Sequence, residues 1–161
     1  MLLQSADGAW VALSPVGYEL PYDGPPTAGR DTDANWLMIE GTVRRATGEV
    51  FTFRDPCLLT VEALELGSWL KEAAAGLIAP SPQHNERDLL VFLEPNIAFS
   101  VEAWNLEEVV MRVHLSLEAS PPWAEPDTEL FDTIERLRLS PADVHVGADA
   151  WLAELAAFPL R

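Results

Sequence analysis

The run Val109–Ala119 restricts the fold more than any other part of the chain. Val109, Met111, Val113, Leu115 and Leu117 alternate there with Val110, Arg112, His114, Ser116 and Glu118. A period of two puts the first set on one face of a strand and the second on the other, and a one-residue slip would exchange them. The pattern predicts a half-buried antiparallel strand whose polar face is solvated.

Other segments supply its neighbours. Asn35–Ala46 alternates through Leu37, Ile39, Gly41 and Val43, with Trp36 and Met38 opposite, so its beginning reads as covered on both sides. Thr47-Gly48 then closes a hairpin into Glu49–Arg54. Ala9–Leu13 reads as a short strand, broken by Pro15 and Gly17 before Tyr18–Leu20, and Pro21–Gly29 as loop. Asp88–Glu94 is nearly continuous apolar sequence and predicts a central strand; Ile97–Trp104 and Phe131–Leu139 predict two more. Two segments carry helical spacing instead. Leu66, Trp69, Leu70, Ala73 and Leu77 form one stripe, with Thr60 as N-cap and Gly76 as stop. Val144, Ala148, Trp151, Leu155 and Phe158 form the other, started by Ser140-Pro141 and ended before Pro159. The expected fold is α+β: one domain over residues 1–161, with a mostly antiparallel sheet of about seven strands, one central helix and one C-terminal helix.

Composition narrows the function. An apolar fraction of 48% in 161 residues is enough for a core and excludes a disordered chain. The net charge of −16 repels phosphate, which argues against direct nucleic-acid binding and anionic membranes and in favour of a basic partner. The single Cys57 excludes an internal disulfide framework. No apolar run approaches a membrane span or a signal peptide, so the expected location is the cytoplasm and the expected state a soluble monomer.

Candidate chemistry is sparse. His84 and His145 have no motif around them. His114 lies in a row with Ser116 and Glu118, which brings a small hydrolase to mind. Strand neighbours two apart are about 6.5–7 Å from each other, however, too far for a direct Ser–His hydrogen bond. Asp31-Thr-Asp33 lacks the Gly and distal Glu of a calcium loop, and no glycine-rich phosphate cradle is present. Cys57, beside Pro56 and Leu58, reads as a small buried hydrophobe. Neither a metal nor a cofactor is expected.

Acidic residues are unevenly placed. Residues 81–161 hold 15 acidic and 5 basic side chains, and Glu94–Glu135 holds ten acidic against Arg112 alone, net −9. Such a surface aids solubility; it can equally steer and hold a basic protein. Ser120-Pro-Pro-Trp-Ala-Glu-Pro126 places Trp123 on a proline-stiffened acidic loop, either as an interface anchor or as cover for the sheet. The candidate partner-binding residues are Glu94 and Asn96 in the Glu-Pro-Asn turn, then Glu118, Trp123, Glu125 and Asp127. Asn and Pro also suit a turn between strands, so the Glu-Pro-Asn segment has a purely structural reading too.

Five segments occur in a familiar order: Asp33-Ala-Asn-Trp-Leu, Pro56-Cys-Leu-Leu-Thr60 ahead of Trp69-Leu70, Phe92-Leu-Glu-Pro-Asn96, Glu118 to Glu125 around Pro-Pro-Trp, and Phe158-Pro-Leu-Arg161. From about Asp33 to Arg161 the chain resembles the WapI-type immunity proteins of bacterial polymorphic toxin systems. The resemblance implies a non-enzymatic inhibitor that binds the C-terminal toxin domain of a wall-associated secreted protein, with a transfer-RNA nuclease as the eponymous target. It carries over no binding residues. Two rivals stand beside it: a small hydrolase using His114 and Glu118, and an acidic scaffold domain with a non-toxin basic partner.

Overall fold

A computed structural model describes residues 1–21, 32–83, 85–125 and 127–161. Most of the loop Pro21–Gly29, together with Asp31, His84 and Pro126, lies outside the described residues.

The strands form two four-stranded antiparallel sheets rather than one. The first holds β1 (Leu2–Gln4), β2 (Trp10–Tyr18), β3 (Trp36–Arg44) and β4 (Val50–Leu59) in sequence order. The second holds β5 (Leu90–Val91), β6 (Ile97–Trp104), β7 (Val109–Leu115) and β8 (Thr133–Leu139), also in order. Helix α1 (Thr60–Ala74) follows the first sheet, and α2 (Pro141–Leu155) follows the second. The expected α+β class holds, with eight strands; β1 is the addition, too short to show a period.

Each sheet turns an alternating apolar face to one shared core. Leu13, Ile39, Val43, Phe51 and Phe53 enter it from the first sheet, and Phe99, Val101, Met111, Val113 and Leu137 from the second. The helices pack on one another, and Trp69 of α1 meets Phe99 of β6 with ring centroids 6.0 Å apart. Ser140 caps α2 by accepting from Asp143 N at 3.1 Å, as its sequence predicts. The cap of α1 falls one residue earlier than Thr60: Leu59 is the N-cap, and Glu62 Oε2 accepts from Leu59 N at 2.8 Å. The apolar stripe ends at Ala73, because Gly76 takes a positive φ and Leu77 emerges into solvent.

Three strand expectations change. Pro15 and Gly17 do not split the early strand: β2 runs through them, with a bulge that absorbs the missing N–H. Strand β4 likewise continues through Pro56 to Leu59, because β4 is the edge of its sheet, where a proline costs no ladder bond. Asp88–Glu94 is not a central strand. Only Leu90–Val91 pairs, at the edge of the second sheet, and Leu93 N donates to Glu62 Oε1 at 2.7 Å instead of to a ladder.

Strand β7 is buried along its whole length, so its polar face is not solvated. Arg112 reaches across to the carbonyls of Ser81 and Pro82, both at 3.0 Å, which holds the 79–83 segment over that face. Close packing also restricts Gly41, opposite Phe53 in the ladder. A Cβ there would sit 2.1 Å from the Phe53 ring. Gly41→Ala must therefore push a buried ring off its site, and urea melts are expected to show a loss of about 1–3 kcal/mol.

Candidate functional site

The acidic segment separates into two kinds of carboxylate. Glu102 takes a bidentate pair from Arg136, both bonds 2.8 Å, and a third contact from Arg112 at 3.2 Å. Hydrogen bonding from Arg136 holds the Glu102 carboxyl below its usual range. Glu108 takes a bidentate pair from Arg138, and Glu135 meets Arg45 at 2.9 Å. These three are engaged within the fold. Among the described residues, Glu94, Glu118, Glu125, Asp127 and Glu129 make no ion pair, and all five are exposed.

Part of this unengaged acid converges where the two sheets meet. A 3-10 turn over Leu117–Ala119 packs on the edge strand β4. Ser116 N, just before it, donates to the Asn96 carbonyl at 2.8 Å, which brings the Glu-Pro-Asn turn alongside. Asn96 Nδ2 then crosses to Asp55 Oδ2 on β4 at 2.8 Å, linking one sheet to the other. Asp55 was not among the residues singled out from sequence. Its carboxyl is raised above the ordinary aspartate range, first by burial, then by Glu118, with Glu94 and Glu19 pushing the same way and the Asn96 hydrogen bond opposing. Like charges held beside a partly buried carboxylate disfavour its ionisation. The arrangement therefore costs stability, a common property of sites kept for recognition.

Asn96 is consequently a strut between the two sheets, 1% exposed in the free chain. Glu62, at the start of α1, joins the same region by accepting from Leu59 N and Leu93 N. Leu93 and Leu117 stand exposed beside Glu94 and Glu118. Trp123 lies further along β4. Its ring packs edge-on against Phe51 with centroids 5.4 Å apart while 43% of the residue remains exposed. One side of Trp123 thus covers the sheet, as one of its two readings expects, and the other faces outward. Glu125 and Asp127 follow on the same loop, outside the group of charges that act on Asp55.

The histidine reading changes with the burial of β7. His114 has no exposure, and its Nδ1 lies 2.8 Å from the Phe131 carbonyl, an acceptor only, so Nδ1 carries the proton. Nε2, 3.0 Å from Ser100 Oγ, is left to accept the hydroxyl. That Ser–His pair is internal, with Ser100 2% exposed, and a substrate carbonyl cannot reach it. Glu118 does not share its face, because the strand ends at Leu115 and Leu117 turns the chain with φ 50°. The pair fastens β7 to β6, and the Nδ1 bond to the Phe131 carbonyl fastens β7 to the segment before β8. Cys57 is fully buried, and burial pushes its thiol up to about 12, which leaves it unreactive. His145 lies on the exposed side of α2, 3.5 Å from Asp149.

Among the described residues no three His, Cys, Asp or Glu side chains are grouped to hold a metal ion, and no helix is long and apolar enough to cross a membrane.

No solved structure and no curated protein matches the chain. A family model does, that of the immunity protein WapI-like family, over residues 1–159. The match takes in both sheets, both helices and the acidic edge along β4, and the chain belongs to the WapI-like immunity protein family.

Proposed function

We propose that this chain is a stoichiometric inhibitor of a basic nuclease toxin domain, of the transfer-RNA-cleaving type, and that it binds through the edge formed by β4, the Glu94–Asn96 turn and the loop from Glu118 to Asp127. The observation that carries the reading is the division of the acid. Glu102, Glu108 and Glu135 are engaged by arginines of the fold, whereas Glu94, Glu118, Glu125 and Asp127 are left open beside exposed Leu93, Leu117 and Trp123. Apolar anchors rimmed by charge are the ordinary anatomy of a protein interface. A nuclease presents lysines and arginines to RNA phosphates, and carboxylates held at its mouth would take the phosphates' places. Inhibition in this reading is occlusion and needs no catalysis by the inhibitor. The protein would act inside the producing cell, as a monomer in a 1:1 complex.

The test pairs survival with salt. Cells expressing the toxin domain encoded beside this chain are expected to survive when the chain is co-expressed, with a 1:1 complex recovered. The association rate should fall steeply between about 50 and 500 mM salt, since steering acts over a Debye length. A toxic neighbouring domain that is not neutralised would sink the reading, and a rate indifferent to salt would remove its electrostatic part.

A further inference from the structure

Hydrogen-bonding groups do not balance where the Glu94–Asn96 turn meets β4. The backbone carbonyl of Asn96 accepts from Ser116 N, and its Nδ2 donates to Asp55, yet its Oδ1 is buried and has no hydrogen-bond partner among the described residues. A buried acceptor without a donor costs about 1–3 kcal/mol and is rare enough in a folded protein to call for an explanation. A turn needs no such atom: Pro95 and the Ser116 bond already hold this one. The charged groups that act on Asp55 are acceptors as well, namely Glu118, Glu94 and Glu19. One place in the fold therefore gathers a buried amide oxygen and several carboxylates, and its one side-chain amide donor is already in use.

The complement of such a set is a cation that carries N–H groups. A bare metal ion would need its oxygen ligands drawn close together, and no three acidic side chains are so grouped among the described residues. A guanidinium is broader, planar, and spreads five donors in a fixed fork, so it can satisfy acceptors that stand further apart. Its aliphatic stem also needs apolar cover, and Leu93 and Leu117 stand exposed next to Glu94 and Glu118 in the chain.

We propose that Asp55, Asn96, Glu94 and Glu118 form a notch that receives one arginine side chain of a protein partner, with Asn96 Oδ1 and the Asp55 carboxylate accepting its N–H groups and Glu94 and Glu118 flanking it. This deepens the toxin reading and rests on it only for the owner of the arginine. Glu125, Asp127 and Trp123 then form the outer part of the interface, and the notch its specific point.

The notch can be tested with no toxin present. The probe is an acetylated, amidated tetra-arginine peptide, titrated into the isotopically labelled full chain while NMR follows the Asn96 side-chain amide and the Asp55 carboxyl. A saturable shift of the Asn96 amide is expected, together with a fall of about one unit or more in the Asp55 pKa as a cation seats beside it. Glu94→Gln/Glu118→Gln should bind the peptide about tenfold more weakly. Both residues are exposed and make no ion pair among the described residues, so this variant keeps its fold. Equal shifts from sodium chloride at matched ionic strength would reduce the effect to screening and overturn the proposal. Saturable shifts from calcium chloride would assign the acceptors to a metal and overturn it too, as would a silent Asn96. A toxin complex that forms beside a silent Asn96 sinks the notch alone; a responsive Asn96 with no complex sinks only the toxin reading.

Discussion

Glu94→Lys/Glu118→Lys is expected to weaken toxin binding by at least about a hundredfold, or roughly 3 kcal/mol, and to abolish protection without loss of stability. The binding half follows from repulsion: two acceptors aimed at a basic surface become donors of the same sign as their target. The stability half follows from Asp55. Its pKa stands above the ordinary value in the folded chain, through burial and through Glu118 and Glu94. The folded state therefore binds that proton more tightly than the unfolded one, so the folded chain loses stability as pH rises from the ordinary aspartate range through the raised value. Lysines at 94 and 118 lift part of this penalty, and the variant should melt at or above the wild-type temperature near neutral pH. Glu72→Lys/Glu107→Lys is the matched control. Glu107 lies in the β6–β7 hairpin, at the opposite end of those strands from Asn96, and Glu72 lies in the last turns of α1, whose Ala74 carbonyl takes the Trp104 indole N–H at that same far end. Both are exposed and the change in net charge is identical, so this pair should lower the on-rate slightly and leave protection intact. Equal losses from the two variants would mean that only the overall field matters and that the β4 edge is no interface.

What could be read from the sequence was what depends on local period and local caps. The strand beginning at Val109, the Ser140-Pro141 start and the stripe Val144–Ala148–Trp151–Leu155 each carry their own signal, and each is present in the fold, although the strand is buried on both faces. What could not be read depends on contacts between distant segments. Arg112, His114 and Ser116 look solvated because nothing near them announces that residues 79–83 and Phe131 lie across that face. Pro15 looks like a break, and the strand from Glu49 looks finished at Arg54, because a sequence does not say which strand has a bulge or an edge to spare. The candidate site shows the same division. Glu94, Glu118 and Trp123 were accessible as exposed acid and an aromatic on a stiff loop, but Asp55 lies 39 residues before Glu94, and only the pairing of β4 against the 3-10 turn after β7 brings it to them. Asn96 was legible as a turn residue and not as a strut, because its burial depends on that same meeting of two sheets.

The largest loss of stability from a single substitution is expected at Trp151. It has no exposure, and its indole N–H crosses from α2 to the Ala63 carbonyl of α1 at 2.7 Å. The helices can approach so closely because α1 carries Gly67 at the crossing, where a Cβ would sit 2.4 Å from Leu152 and 3.3 Å from the Trp151 ring. Helix α2 therefore holds α1 by one large ring, its hydrogen bond and an exposed Lys71–Asp149 ion pair at 2.8 Å, over a contact with no room to close. Trp151→Ala should lose about 3–5 kcal/mol, the range for a buried aromatic whose cavity cannot collapse. That is a large share of the roughly 5–15 kcal/mol that a folded domain has to lose. Trp151→Phe keeps much of the packing and forfeits the N–H bond, for a loss of about 1–2 kcal/mol. Urea melts of the two variants check the ratio. The consequence reaches the proposed binding edge, because the first turn of α1 carries Glu62, whose two oxygens hold Leu59 N and Leu93 N. If α2 is what fixes α1, hydrogen exchange at Leu93 should quicken in Trp151→Phe ahead of exchange in β6 and β7. If Leu93 stays as protected as β7, or Trp151→Ala melts within about 1 kcal/mol of wild type, then the sheets alone position the Glu94 turn and the helix pair is not its support.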